Sequence, residues 1–135
     1  MYFVDTNVFI RFLTKDDPTK AMACFKLFQK AAASQITLYT SEAVIAEVVY
    51  VLASKKLYSL ERGEIRTRLY PLLSVRGLQL AERDVYLRAL DLYAAYSLDF
   101  EDAFIAAHMD HQRIGELYSY DTNFDKTPGM WRLEP

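Results

Sequence analysis

Met1-Tyr2-Phe3-Val4-Asp5-Thr6-Asn7 is an apolar run that stops at a carboxylate, a hydroxyl and an amide. Val8-Phe9-Ile10 and Phe12-Leu13 follow at once, with apolar residues three and four apart, as on one face of a helix. A short strand feeding straight into a helix is the opening of an α/β unit. The carboxyl ends of parallel strands are where open α/β sheets build their sites, so Asp5 arrives where chemistry is usually done. Taken alone, Asp5 is explained equally well as a helix cap.

Outward from that start, Pro18 after Asp16-Asp17 suits the first turn of a capped helix, expected to run to about Ala33. Ile36-Thr37-Leu38-Tyr39-Thr40 alternates as a strand does. Ser41 is the expected cap of a helix over 42–56, and a further helix is expected over 61–75, bent or cut short by Pro71. Leu78-Gln79-Leu80 reads as a strand, Asp84 as the cap of a helix through Tyr96, and Asp99 as the cap of one over 100–112. Leu117-Tyr118-Ser119-Tyr120 reads as a strand ending at Asp121, and Met130-Trp131-Arg132-Leu133 as a last strand. Strands separated by helices need crossover connections, which favour parallel pairing. The expected fold class is therefore α/β, a three-layer α/β/α sandwich with a mainly parallel sheet, in a single domain over 1–135.

Composition narrows the function classes. With 52% hydrophobic and 25% charged residues among 135, the chain is globular rather than disordered. No apolar run approaches the roughly 20 residues that span a bilayer, and the start lacks the pattern of a secretory leader; no membrane partner and a cytoplasmic location are expected. Cys24 is the only cysteine, which removes internal disulfides and thiolate metal cages, and its helical surroundings suggest a small buried hydrophobe. His108 and His111 share a helix face without the spacing of paired zinc ligands, and are expected at the surface. Gly63, Gly77, Gly115 and Gly129 are isolated, so there is no phosphate loop, and no nucleophile elbow occurs. The net charge of −2 lends no general affinity for nucleic acid; such a substrate would need local basic residues, divalent cations, or both.

Among 18 acidic residues, position selects a few. Glu47 is the lone acid in Ala43-Val44-Ile45-Ala46-Glu47-Val48-Val49-Tyr50-Val51-Leu52, where burial would be costly without a partner. Asp99 is explained by capping. Asp102 lies in the first turn before Ala103-Phe104-Ile105-Ala106-Ala107, where the helix dipole stabilises it by only about 0.3–1 kcal/mol. Asp121 repeats the strand-then-acid pattern within Tyr118-Ser119-Tyr120-Asp121-Thr122-Asn123-Phe124-Asp125, although a polar turn accounts for it too. Strand ends and following helix starts share a rim in a parallel sheet. Two carboxylates about 5 Å apart repel by roughly 3 kcal/mol at an effective dielectric near 20. Four together call for divalent metal or protons, and all-oxygen donors point to Mg²⁺ or Mn²⁺ rather than Zn²⁺.

Asp5-Thr6-Asn7, Glu47 in an apolar helix, Asp102-Ala103 at a helix start and Ser119-Tyr120-Asp121-Thr122-Asn123-Phe124 together resemble the PIN domain, and within it most closely the VapC toxins of toxin–antitoxin modules. The resemblance covers almost the whole chain, and the ordered set of motifs is more specific than any one of them. It implies a Mg²⁺- or Mn²⁺-dependent endoribonuclease with Asp5, Glu47, Asp102 and Asp121 as catalytic metal-site residues, leaving a 5′-phosphate and a 3′-hydroxyl. Thr6 matches the hydroxyl position beside the first acid, and Ser119 stands where the family commonly has Thr. Asn123 replaces an Asp found in many members, which leaves one charge fewer; Asp99, one turn from Asp102, is a secondary candidate. Arg11 and Lys15, with Lys20 and Arg113, are candidates for RNA contact, equally well explained as solvated helix charges. A homodimer and a cognate antitoxin whose tail enters the acidic groove are further implications. Two alternatives share the motifs: a housekeeping PIN ribonuclease in RNA processing or decay, and a PIN-like RNA-binding or interaction module without metal.

Overall fold

Asp5 both ends the first strand and begins the first helix in the computed structural model, which describes residues 1–135. The strand β1 is Tyr2–Phe3, and the helix α1 is Thr6–Thr14, buried through Phe9, Ile10 and Leu13. Lys15 closes α1 in the left-handed region at φ 56°, its N–H donating to the Arg11 carbonyl. Asp17 accepts from the Lys20 N–H and Pro18 opens α2, Pro18–Ala32. Phe28 of α2 meets Phe9 and Phe12 of α1, with ring centroids 5.5 and 5.0 Å apart. Aromatic packing of this kind adds about 0.5–1.5 kcal/mol beyond area burial, and it fixes α2 across α1.

The next strand, β2, is only Leu38–Tyr39, shorter than the expected five residues. Thr40 turns its hydroxyl onto the Val4 carbonyl at 3.1 Å instead of extending the ladder. After Ser41, which accepts from the Val44 N–H, come α3, Glu42–Ala53, and then α4, Arg62–Leu73. Pro71 neither begins the end of α4 nor stops it at once, since Leu69, Leu72 and Leu73 are buried and anchor the last turn. The strand β3, Leu78–Gln79, completes a parallel sheet in the order β1-β2-β3, with Leu38 opposite both Tyr2 and Leu78. Gly77 is required where it stands: a Cβ there would lie 2.1 Å from the Ala31 carbonyl oxygen.

Residues Met1–Arg83 form one compact unit and Asp84–Pro135 a second. Helix α5, Arg83–Ala95, starts one residue before Asp84, so Asp84 sits in its first turn rather than capping it. The cause is Arg83, whose guanidinium donates to the carbonyls of Leu73, Val75 and Leu78 and fixes the backbone at that point. Asp99 caps α6, Phe100–Gln112, by accepting from the Asp102 N–H. In the second unit Tyr86 and Tyr93 of α5 pack edge-on against Phe104 and Phe100 of α6. The strands β4, Glu116–Tyr118, and β5, Trp131–Leu133, pair in parallel, and a 3-10 turn over Thr122–Lys126 lies between them. Six helices and parallel strands make this an α/β fold of the expected PIN-like class. No helix is long and apolar enough to cross a membrane.

Cys24 is half-buried rather than enclosed, because α2 turns only the narrow stripe of Ala21, Phe28 and Ala31 inward. His108 is half-buried as well, 4.9 Å from the Phe104 ring centroid, while His111 is exposed.

Candidate metal centre

In the first unit the site is organised by Thr6. Its backbone N–H donates to Asp5 Oδ1 at 2.7 Å, and its hydroxyl donates to Glu47 Oε2 at 2.7 Å. Thr6 is buried while both carboxylates are exposed, so a fixed donor orients two acids that face solvent. A hydrogen bond to a charged group contributes about 1.5–3 kcal/mol, with exposure of Glu47 placing this one near the lower end. Glu47 is thus not the enclosed acid that its apolar neighbours suggest. Val44, Ile45, Ala46, Val48, Val49 and Leu52 supply the buried side of α3, and Glu47 shares the outer side with Tyr50, which is 75% exposed. Its position is explained without a desolvation cost.

In the second unit the site gathers around the start of α6. The half-buried Asp102 carboxyl is pushed up to about 6, first by burial, then by the negative charges of Asp99, Asp121 and Glu101. Asp121 is held in a local frame: its N–H donates to Ser119 Oγ at 3.0 Å, and its Oδ1 accepts from the Asn123 N–H at 2.9 Å. Ser119 and Asn123 therefore shape the turn that presents Asp121. Each of the groups that act most strongly on Asp102 raises its proton affinity, and no cationic side chain is among them. An all-oxygen set of this charge fits a hard divalent cation such as Mg²⁺ or Mn²⁺.

The acids divide between the units, Asp5 and Glu47 in the first, Asp102, Asp121 and Asp99 in the second. No three His, Cys, Asp or Glu side chains form a preformed ion cage. Among the basic candidates, Arg11 is paired with Asp16 at 2.7 Å, and Tyr58 donates to the same carboxylate oxygen at 2.6 Å. Lys15 and Lys20 are exposed, and Arg113 is exposed at the C-cap of α6. Arg11 and Lys20, with Asn7, Val8, Ala23 and Cys24, line a cavity of about 270 Å³ beside the residues that follow Asp5. Sequence reasoning missed two groups: the Tyr58–Asp16 contact, and Arg132, whose only sequence signal is a charge in the middle of a strand.

The PIN domain family model matches residues 2–130, and the chain belongs to that family. PIN domains are in general metal-dependent nucleases. No curated protein matches the chain.

Proposed function

We propose that this chain is a Mg²⁺- or Mn²⁺-dependent endoribonuclease acting as a VapC-like toxin, in a single PIN-like domain over residues 1–135. The observation that carries the reading is the PIN family match over residues 2–130, and the half-buried Asp102, whose proton affinity is raised by burial and by the charges of Asp99, Asp121 and Glu101, supports it. Such a cluster is stable at neutral pH when a cation shares it.

Asp5, Glu47, Asp102 and Asp121 would hold the ion or ions. Bound there, divalent metal supplies Lewis-acid stabilisation of phosphate charge and a water acidic enough to attack phosphorus. Thr6 fixes the Glu47 carboxylate through its hydroxyl and the Asp5 carboxylate through its N–H. Asp99 pins the first turn of α6, where Asp102 sits. Ser119 and Asn123 set the Asp121 turn, with Asn123 adding no charge of its own. The basic side chains offered to RNA phosphate are Arg11, Lys15 and Lys20, with Arg11 exchanging Asp16 for phosphate.

A homodimer and a cognate antitoxin complete the reading. Phe12, Phe25, Phe28, Leu72 and Val75 line an apolar cavity of about 310 Å³ in the first unit, which suits the apolar face of a peptide partner. Purified protein with Mn²⁺ should cut RNA to 5′-phosphate ends, and Asp5→Asn or Asp102→Asn should reduce the rate at least about a hundredfold, in the range of losing a stabilising group at developing charge. Equal rates for wild type and both variants would sink the enzymatic reading. Growth arrest on expression, relieved by a co-expressed small neighbouring protein, supports the toxin role; harmless overexpression points to housekeeping RNA decay.

A further inference from the structure

Arg132 lies past residues 2–130, which the family model matches, yet its guanidinium makes hydrogen bonds to Asp125, Ser119 and Glu134. On β5 its side chain is 14% exposed, well enclosed for a cation. Nε donates to Asp125 Oδ1 at 3.0 Å and Nη2 to Asp125 Oδ2 at 3.4 Å, while Nη1 donates to the Ser119 carbonyl at 2.9 Å and to Glu134 Oε1 at 2.8 Å. The Ser119 N–H in turn donates to the Leu133 carbonyl at 2.9 Å. Asp121 lies between these two anchors, capping the 3-10 turn that ends in Asp125 and Lys126. The planar guanidinium suits this task, because its donors diverge in a rigid fork and reach a carboxylate and a carbonyl together.

We propose that Arg132 is a positioning residue of the metal site, clamping Ser119 and Asp125 so that the arc between them holds the Asp121 carboxylate in place. The proposal rests on the metal-dependent nuclease reading for its purpose and on the contacts above for its geometry. Partners that orient a metal ligand from behind typically change metal affinity by about 10–100-fold when lost.

The test is Mn²⁺ binding by the full chain, read by titration calorimetry, together with amide hydrogen exchange. Arg132→Gln should raise the Mn²⁺ dissociation constant roughly tenfold and speed exchange at residues 121–125 while leaving α5 and α6 protected. Arg132→Lys, which reaches fewer partners, should recover only part of the affinity. Asp125→Asn removes one exposed partner and should give the same local change at smaller size, which keeps the test open if Arg132→Gln does not fold. Unchanged Mn²⁺ affinity would overturn the clamp. So would faster exchange spread evenly over the second unit, the mark of a merely structural arginine, or absence of Mn²⁺ binding by wild type. Failure of the nuclease reading has a different signature: wild type binds Mn²⁺, Arg132→Gln weakens it, and neither cuts RNA.

Discussion

Asp102 and Thr6 solve opposite problems at the level of single side chains. Thr6 is buried and brings a donor to acids that remain in water, whereas Asp102 is half-buried among other acids. The pKa of Asp102 in the folded chain, pushed up to about 6 from the 3.8 of an ordinary aspartate, gives its effect on stability a definite sign. Folding binds this proton more tightly than the unfolded chain does. Its contribution is therefore favourable below about pH 4 and is lost as pH rises through about 6, where the folded state must carry an unneutralised carboxylate. Asp102→Asn removes the charge and keeps the shape. In EDTA at about pH 8 the variant should melt above wild type by a few degrees, at about 3 °C per kcal/mol for a chain of this size, and the gap should close near pH 4. Added Mn²⁺ should then raise wild type more than the variant, because a ligand stabilises only the state that binds it. Thermal melts across that pH range read both effects; a variant less stable than wild type in EDTA at high pH would contradict the assignment.

Elements make different demands, and Gly77 states one of them sharply. The turn leading into β3 passes the backbone of α2 so closely that a Cβ at residue 77 would meet Ala31 O at 2.1 Å and Ala31 C at 2.7 Å. Backbone cannot swing aside as a side-chain tip can. Gly77→Ala should cost about 1–3 kcal/mol, the usual range for overpacking, and urea melts should show it. Gly63→Ala is the counterpart, for nothing lies within 4 Å of its Cβ in α4; it should gain about 0.5–1 kcal/mol from helix propensity. What sequence could foresee followed the same division between local and distant causes. The caps Asp17, Ser41 and Asp99 were legible because a cap bonds within three residues of itself. The exposure of Glu47 was hidden because Tyr50, apolar by type, occupies the same solvent stripe of α3. The clamp of Arg132 was hidden because its carbonyl partner, Ser119, lies 13 residues away, and which strand it meets is decided by sheet pairing. The strand-end acids Asp5 and Asp121 were readable as candidates, while the separate frames that hold them, Thr6 in one unit and Ser119 with Asn123 in the other, needed coordinates.

The whole molecule carries a net charge of −2, and at least four of its 16 Lys and Arg side chains are paired with acids. Arg11 pairs with Asp16, Arg68 with Glu64, Arg88 with Asp110, and Arg132 with Asp125 and Glu134. Exposed pairs like the first three contribute little to stability, about 0–1 kcal/mol each, yet they reduce the positive field that RNA would meet. On the proposed function, RNA binding would draw on local basic residues, on a divalent ion, or on both, and the share of the ion can be measured. Binding of single-stranded RNA, followed by fluorescence anisotropy with Ca²⁺ replacing Mg²⁺ to slow cutting, should weaken at least tenfold on adding EDTA. Its dependence on monovalent salt should be shallow. Each phosphate neutralised by a basic side chain contributes about −0.7 to the slope of log affinity against log salt for a single strand, and contacts from Arg11, Lys15 and Lys20 would together give about −2.1. A slope several times steeper, with affinity indifferent to EDTA, would mean that the RNA rides on a basic surface elsewhere, and the acidic residues would then have no part in holding it.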